Sequence, residues 1–363
     1  MKFLIKKEDL VRAVQRVQST AGKKDSTPLL SGILLEAFTG GLRASATDLE
    51  VYTQSVCAAE VEKKGAVAVN AKKLLEIAKD LPAEEVSVES DKDNRVTIAA
   101  ARARFKLPGL AAEDFPPAPE IKDSAMERMD GEFLRGLIDK TYFAVSTDEH
   151  KYNINGFYLE RGEGFTRMAA TDGHRLAFVE RPGRAGDTQA AILPRKGVLE
   201  MRRLLGEVEG EVLFGLDKKR AALMAGGAVI SIRLIEGEFP DYRKVVPKDN
   251  DRVLLASKAD ILSALRRGAI LTDRGRSVKF GINGNTLTVS SSCPEYGEAS
   301  EEMDIEYSGP EMEAAYNSAY LIDAIEAVDS ARVRLFFKDA LDPVIIRPNG
   351  SDDYTGVIMP MRL

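Results

Sequence analysis

The segment AKKLLEIAKDLP, at residues 71–82, decides the fold of this chain because it recurs twice in related form. RKGVLEMRRLLG occupies residues 195–206 and SAYLIDAIEAVD occupies 318–329, so the three copies begin 124 and 123 residues apart. Each copy spaces its apolar residues three and four apart, as an amphipathic helix does. A self-similar chain of this kind is built from repeated structural units, and the sequence therefore predicts three similar domains.

Other markers share the same repeat length. ATDLE begins at Ala46 and ATDGH at Ala170, while EDFP and GEFP end at Pro116 and Pro240. A second helical segment opens each copy, as KKEDLVRAVQRV, DGEFLRGLIDKT or SKADILSALRRG. Its apolar residues form an i,i+4 pair each time, which predicts one buried face per helix: Leu10 with Val14, Leu134 with Ile138, and Ile261 with Leu265.

Between the helical segments the sequence is typical of short antiparallel strands. EVSVES, RVTIAA, TLTVSS and PVIIRP alternate or are rich in β-branched residues, and DN, NG and proline punctuate them. Two helices and several such strands per copy predict an α+β fold in which antiparallel sheets carry helices on one face. We expect domains at residues 1–121, 125–246 and 247–363, with linkers in DFPPAPEIKDS and near VVPKDND. The sequence contains neither a P-loop motif nor a dinucleotide-binding glycine motif.

The composition fits a globular protein of a reducing compartment. The 363 residues carry a formal charge of -6 with a pI near 5.4, so a polyanionic partner would need locally segregated basic residues. Cys57 and Cys293 form no metal-binding or disulfide motif. The opening MKFLIKKEDLV turns polar at Lys6, and no apolar run reaches the length of a membrane span. We therefore expect a cytoplasmic protein without a membrane partner.

Basic residues recur at matched positions of the helical segments. Five of the six segments carry them, and the last has Ala319 and Glu326 instead. The recurring residues are Lys72 and Lys79, Lys196 and Arg203, Arg16, Lys140, and Arg267. Such recurrence in an acidic chain favours a shared basic surface over ordinary solvated helix faces. A basic surface of this kind would face a polyanion.

Charge alone would not hold DNA for long. Binding to the phosphate backbone without base contacts has a Kd of about 10⁻⁴–10⁻⁶ M, and steered on-rates of about 10⁸–10⁹ M⁻¹ s⁻¹ then imply release within milliseconds. A lasting hold without sequence readout requires topology. Repeated units can supply it by closing into a ring.

Two other functions compete with this interpretation. TDEH (147–150) and TDGH (171–174) offer two aspartates and two histidines, enough for a metal-dependent hydrolase that uses Asp172 and His174. Against it, Glu50 takes the place of His174 in the first copy, and no serine-elbow or zinc-helix motif accompanies these residues. The second alternative is a repeat scaffold that binds proteins only.

Five motifs together resemble one known family. ATDGHRLA, PRKGVLE, FPDYRKVVP, EMEAAYNSAY and the terminal MPMRL are similar to segments of the bacterial DNA sliding clamps, the β subunits of DNA polymerase III. The similarity runs from MKF to the C-terminus. It implies three similar domains per chain and two chains that close head to tail into a homodimeric ring, with helices inside and sheets outside. It also implies a non-catalytic processivity factor, without metal or cofactor, that acts at the bacterial nucleoid.

In this family the TDGHRL segment helps to form a pocket for short partner peptides with apolar anchors. The resemblance implies the following pocket residues: Thr171, Gly173, His174, Arg175, Leu176, Pro240, Lys244, Val245, Asn317, Tyr320, Val357, Met359, Pro360, Met361 and Arg362. Methionine and leucine suit such a pocket because they repack around varied ligands. The implied partners are the catalytic subunit of DNA polymerase III, the clamp loader, and other polymerases and repair proteins.

The resemblance also implies contacts with double-stranded DNA that are not sequence-specific. The residues implied are Lys24, Lys72, Lys151, Tyr152, Lys196 and Arg203. Beside Tyr152 the chain departs from the family pattern, because Asn153 and Asp148 replace a second tyrosine and a glutamine that some clamps carry. Lys244 replaces a common arginine, which keeps the charge but loses the planar guanidinium.

For ring closure, the resemblance implies that the edge strand RARFKL (102–107) pairs with the third domain of a second chain. Phe105 and Leu107 are expected to pack against Ile270 and Leu271. Arg102 or Arg104 is expected to meet one of three glutamates across this interface: Glu298, Glu301 and Glu302.

Overall fold

The computed structural model describes residues 1–22, 27–120, 125–148, 150–183, 188–273 and 275–362. Within these ranges the chain forms six α-helices, two in each predicted copy: α1 (Lys7–Gln18), α2 (Ala71–Asp80), α3 (Gly131–Asp139), α4 (Arg195–Leu205), α5 (Lys258–Gly268) and α6 (Ser318–Glu326). Short 3-10 turns occur at Ala112–Asp114, Tyr142–Ala144, Tyr152–Ile154, Tyr242–Lys244 and Ala269–Leu271. No helix among the described residues is both long and apolar enough to cross a membrane.

Among the described residues, each copy has one strand before its first helix, four or five between its two helices, and three or four after the second helix. The first copy contains β1 (Lys2–Lys6), β2 (Gly32–Phe38), β3 (Gly41–Thr47), β4 (Val51–Ala58), β5 (Glu60–Lys63), β6 (Gly65–Asn70), β7 (Glu85–Ser90), β8 (Val96–Ala100), β9 (Ala103–Leu107) and β10 (Gly109–Leu110). The second contains β11 (Met126–Asp130), β12 (Gly156–Gly162), β13 (Phe165–Thr171), β14 (Arg175–Pro182), β15 (Gln189–Pro194), β16 (Glu211–Leu216), β17 (Arg220–Ala225) and β18 (Ala228–Arg233). The third contains β19 (Arg252–Ser257), β20 (Ser277–Asn283), β21 (Thr286–Cys293), β22 (Gly297–Asp304), β23 (Glu306–Tyr307), β24 (Met312–Asn317), β25 (Arg332–Phe337), β26 (Val344–Pro348) and β27 (Tyr354–Ile358).

Two of the sheets run from one copy into the next. The strand orders are β5-β1-β7-β8-β9, β10-β6-β2-β3-β4-β18-β17-β16-β11, β15-β12-β13-β14-β27-β26-β25-β19-β23, and β22-β21-β20-β24. In the second sheet β4 pairs with β18 of the next copy, and in the third sheet β14 pairs with β27 in the same way. Both pairings are antiparallel, which agrees with the α+β fold predicted from the sequence.

The described residues form two compact units, whose bounds do not coincide with the repeat boundaries. The first unit comprises residues 1–135 and 196–234, and the second comprises 136–195 and 235–363. The strand pairings give the reason, because they join half of the middle copy to the first copy and the other half to the third.

The helices bury the faces that their apolar spacing predicts. Leu10 and Val14 of α1 are fully buried, together with Phe3, Leu35 and Leu74, in the core of the first copy. The matched pairs of α3 and α5 are buried too: Leu134 and Ile138, and Ile261 and Leu265. Helix starts are also locally encoded, since the Asn70 side chain accepts a hydrogen bond from the Lys73 N–H, 3.0 Å away, and so caps α2.

Gly197 in the first turn of α4 carries a testable packing constraint. A Cβ at this position would lie 2.2 Å from Cγ2 and 2.9 Å from Cβ of Ile232 on β18. We expect Gly197→Ala to destabilise the protein by about 1–3 kcal/mol, because overpacking outweighs the gain in helix propensity. Urea unfolding measures the change. Gly136→Ala in α3 is the control, since its Cβ would meet nothing within 4 Å; equal effects of the two substitutions would refute the packing argument.

Candidate peptide-binding pocket and nucleic-acid surface

The TDGHR segment forms the tight hairpin between β13 and β14 in the second compact unit. Thr171 Oγ1 donates to the Arg175 carbonyl over 2.6 Å and accepts from the Gly173 N–H at 3.1 Å. Asp172 Oδ1 accepts from the N–H groups of His174 and Arg175, at 2.9 and 3.0 Å. Gly173 has a φ of +93°, a conformation that favours glycine. The aspartate therefore shapes the turn, and the His174 side chain lies exposed at its tip.

The first copy contains the same hairpin at residues 47–51. Asp48 Oδ1 accepts from the N–H groups of Glu50 and Val51, at 3.1 and 2.8 Å. Leu49 takes the place of Gly173 and has a similar φ of +77°. Both copies therefore contain this left-handed turn, which does not depend on His174. Among the described residues, no group of three or more His, Cys, Asp and Glu side chains could hold a metal ion. The structure thus gives Asp172 a role in the hairpin and gives the hydrolase alternative no support.

Arg175 is a predicted pocket residue whose side chain makes several contacts. Its Nε lies 3.0 Å from Asp172 Oδ2, and its terminal nitrogen lies 2.6 Å from Asp323 Oδ2 on α6. The guanidinium stacks over the Tyr320 ring at 4.2 Å from the centroid, and Phe143 lies on it at 5.6 Å. Two carboxylates and two rings hold this cation in place. Sequence reasoning identified Arg175 and Tyr320 but missed Asp323 and Phe143.

The predicted pocket residues Leu176 and Val357 belong to a buried apolar cluster. Leu176 and Val357, opposite each other on β14 and β27, are buried in one cluster with Ala169 and Tyr242. Partly buried side chains extend this cluster: Tyr158, Phe178, Phe239 and Val246. Burial raises the pKa of the Tyr242 phenol, so this cluster carries no charge from that group at neutral pH. Sequence reasoning missed these aromatic residues, although FPDYRKVVP contains two of them.

The C-terminal segment forms one side of the pocket rim. The Met359 N–H donates to the His174 carbonyl over 3.0 Å, and the Met361 N–H donates to the Ala315 carbonyl over 2.7 Å. These bonds fix a segment that would otherwise fray. Met359 nevertheless leaves 41% of its surface exposed, and Val245 is exposed as well. The rim therefore presents apolar side chains to solvent, as a peptide-docking surface does.

The remaining predicted pocket residues lie in the same compact unit. The Asn317 side chain caps α6 by accepting from the Ala319 and Tyr320 N–H groups, at 3.0 and 3.4 Å. Pro240 and Arg362 are exposed, and Pro360 is half-buried. Lys244 is exposed and pairs with Asp241 over 3.1 Å.

The residues predicted to contact DNA differ in exposure and in ion pairing. Lys72 has 78% of its side chain exposed, and its pair with Glu76 is 4.0 Å long. Lys196 instead pairs with Asp48, and Arg203 pairs with Glu200 at 2.7 Å. Lys151 donates to the carbonyl of Asp172 over 3.2 Å, and the neighbouring Tyr152 is exposed. Lys24 lies outside the described residues.

Two of the recurring basic residues, Arg16 and Lys140, are largely buried and pair with carboxylates of the next copy. Arg16 is 12% exposed, and its guanidinium bonds Glu207 at 2.8 Å and the Gly226 carbonyl at 2.7 Å. Lys140 is 8% exposed and bonds Asp329 at 2.7 Å and the Ala327 carbonyl at 2.5 Å. Each residue connects the first helix of one copy to the next copy. Their recurrence therefore reflects the junctions between copies.

Two of the four predicted dimer residues lie in a strand at a sheet edge, and the other two lie in the turn Ala269–Leu271. Phe105 and Leu107 belong to β9, the last strand of the five-stranded sheet, and β22 is the last strand of the four-stranded sheet. Ile270 is strongly exposed, whereas Leu271 is half-buried. Among the predicted acidic partners, Glu301 already pairs with Arg267 of the same chain.

Comparison with known proteins identifies the family to which this fold belongs. Models of the N-terminal, central and C-terminal domains of the DNA polymerase III beta subunit match residues 1–119, 128–241 and 243–362. The curated beta sliding clamps of Caulobacter vibrioides and Pseudomonas aeruginosa are 34% and 33% identical, over the full length of both chains in each case. A crystal structure of the Bartonella birtlesii sliding clamp bound to griselimycin aligns over all of both chains with a TM-score of 0.95 at 31% identity.

Three α+β copies joined through shared antiparallel sheets are thus a three-domain DNA clamp fold. The chain belongs to the DNA polymerase III beta subunit family.

Proposed function

We propose that two copies of this chain close head to tail into a ring that encircles duplex DNA and tethers a polymerase to it. The observation that carries the proposal is that two edge strands, β9 and β22, correspond in the repeat to the strands that pair at the junctions between copies. β9, β18 and β27 correspond to one another, because each is the third strand after the second helix of its copy. β4, β14 and β22 correspond in the same way, because each is the third strand after the first helix. The two inner junctions pair these same strands, β4 with β18 and β14 with β27. A second chain completes the pattern by pairing its β9 with β22.

The repeat also predicts the register of this pairing between chains. In the inner junctions Val229 lies opposite Gln54, and Thr355 lies opposite Phe178. When the copies are aligned strand by strand, Arg104 on β9 corresponds to Val229 and Thr355. Ser300 on β22 corresponds to Gln54 and Phe178. Arg104 of one chain therefore lies opposite Ser300 of the other. Lys106 then faces Glu298, a favourable cross-strand charge pair.

Two such junctions in a dimer close the ring, because both interfaces are identical and heterologous. Exposed cations such as Lys72 then attract DNA without base readout, and closure prevents release. The chain acts without catalysis, in the bacterial cytoplasm at the nucleoid. Its tether raises processivity because the next contact of a bound polymerase with DNA becomes intramolecular.

The pocket supplies the attachment point for partners. An apolar floor, a fixed Arg175 and exposed methionine on the rim suit a short peptide with apolar anchors. The family match supports the polymerase III catalytic subunit, the clamp loader, and other polymerases and repair proteins as partners. The scaffold that binds proteins only would use the same pocket but would not stay on circular DNA.

A ring locked after loading tests the proposal. The double variant Arg104→Cys, Ser300→Cys is loaded onto nicked circular DNA by the clamp loader and then oxidised. We expect covalent rings that stay on circles in about 1 M salt, where charge contacts fail, and that slide off once the DNA is cut. Native thiols should interfere little, because burial raises the pKa of Cys57 to about 11 and Cys293 is buried.

The pair Arg104→Cys, Glu302→Cys is the matched control, because residues two positions out of register lie too far apart for a disulfide. Efficient cross-linking of the control and not of the test pair would refute the register. Loss of the locked protein from intact circles would refute encirclement.

A further inference from the structure

A row of charged side chains crosses three neighbouring strands of the middle copy. Glu160 on β12 lies opposite Arg167 on β13, and Arg167 lies opposite Glu180 on β14. Arg167 donates from Nη1 to Glu160 Oε2 over 2.8 Å and from Nε to Glu180 Oε2 over 2.8 Å. The Glu160 side chain is only 13% exposed. Its charge is therefore stabilised mainly by arginine and not by water.

A second arginine joins this row from another part of the chain. Arg243 belongs to the 3-10 turn Tyr242–Lys244, and its Nη2 donates to the same oxygen of Glu160 over 2.5 Å. This contact attaches the turn to β12 across 83 residues of sequence. Lys244 and Val245, two of the predicted pocket residues, follow Arg243 directly. The position of both residues therefore depends on the contact with Glu160.

The first copy contains the corresponding pair without the second arginine. Glu36 and Arg43 lie 124 positions before Glu160 and Arg167, and they too are opposite each other on neighbouring strands. Arg43 Nη1 is 3.6 Å from Glu36 Oε2, and the Glu36 side chain is 33% exposed. Pro119 stands 124 positions before the second arginine. The opposed pair is thus shared by the first two copies, whereas the second arginine is specific to the middle copy.

From this difference we infer that Glu160 is a positioning residue for partner binding, which holds Arg243 and thereby the two pocket residues that follow it. More than half of the Arg243 side chain is exposed, so it can turn toward solvent once its carboxylate is lost, whereas Arg167 keeps Glu180. A segment that must be ordered again on binding lowers affinity, because the ordering cost is subtracted from the binding free energy. The inference rests on the peptide pocket of the proposed function and adds to it a residue outside the predicted set.

Removing the charge of Glu160 without changing its shape tests the inference. We expect Glu160→Gln to weaken binding of the DNA polymerase III catalytic subunit from the same bacterium about tenfold. Arg243→Gln should weaken it similarly, and the double variant should bind no more weakly than either single variant, because both changes break one contact. Arg243→Lys keeps the charge and should restore most of the affinity. Biolayer interferometry measures the dissociation constants, and melting curves check the fold.

Glu36→Gln is the matched control, because it removes the corresponding pair of the first copy, which has no arginine at position 119. Its affinity should equal that of the wild type. Unchanged affinity of Glu160→Gln, or losses that add up in the double variant, would overturn the inference alone. The Arg243→Gln and Arg243→Lys pair makes the same comparison at an exposed position if Glu160→Gln does not fold. A wild-type protein that does not bind the catalytic subunit would instead overturn the proposed function.

Discussion

A chain that ends at Ile358 is expected to remain a dimer and to lose polymerase stimulation. The five residues removed include Met359 and Met361, whose N–H groups bond the His174 and Ala315 carbonyls and so form one side of the pocket rim. Without them an apolar peptide anchor loses a wall of its binding site, and hot-spot contacts of this kind dominate peptide affinity. Primer extension with and without the truncated protein measures the loss.

Sedimentation and retention on circular DNA serve as controls for this truncation, since the proposed interface strands β9 and β22 are far from the C-terminus in sequence. A second control is Lys244→Ala, which removes an exposed charge and should weaken stimulation only modestly. Full stimulation by the truncated chain would show that partners dock elsewhere.

Leu107→Glu or Ile270→Glu is expected to produce monomers that leave circular DNA quickly. Leu107 ends β9, and Ile270 is an exposed apolar residue in the turn after α5. A carboxylate buried there without a partner costs roughly 3 kcal/mol or more at each junction, which corresponds to a loss of affinity of about a hundredfold or more. Analytical ultracentrifugation measures the change.

Leu110→Glu is the control, because Leu110 is an exposed leucine on another edge strand, β10, which pairs with β6 of its own copy. This variant should remain dimeric. A dimer unaffected by either interface substitution, or equally disturbed by the control, would contradict the assignment of β9 and β22.

Local patterns predicted the elements of this fold well. The i,i+4 apolar pairs of the first helices and the asparagine before AKKLLEIAKDLP are local signals, and both correspond to buried faces and a helix cap. The pairing of β4 with β18 and of β14 with β27 joins strands more than 170 residues apart. No local pattern encodes such a pairing, which is why the sequence alone does not reveal that the described residues form two compact units.

Among the functional residues too, some features follow from local sequence and others depend on residues far away in the chain. The TDGH hairpin is recognisable from the repeat alone, but the role of Arg175 depends on Asp323 and Phe143, which lie far from it in sequence. Charge patterns mislead for a related reason. Arg16 and Lys140 match Arg267 in the repeat, but Arg16 and Lys140 are largely buried in ion pairs with the next copy, whereas Arg267 is exposed. Only the carboxylates near each residue in space make this difference visible.

The shared sheets determine how this molecule can be divided. A fragment cut at the repeat boundaries, such as residues 125–246, would keep β14 and β18 but lose β27 and β4, their neighbours in the whole chain. Both strands would then have an edge of backbone hydrogen-bonding groups without a partner strand, and such edges recruit other strands. The middle repeat is therefore a unit of the sequence whose edge strands depend on both neighbouring copies for their partners.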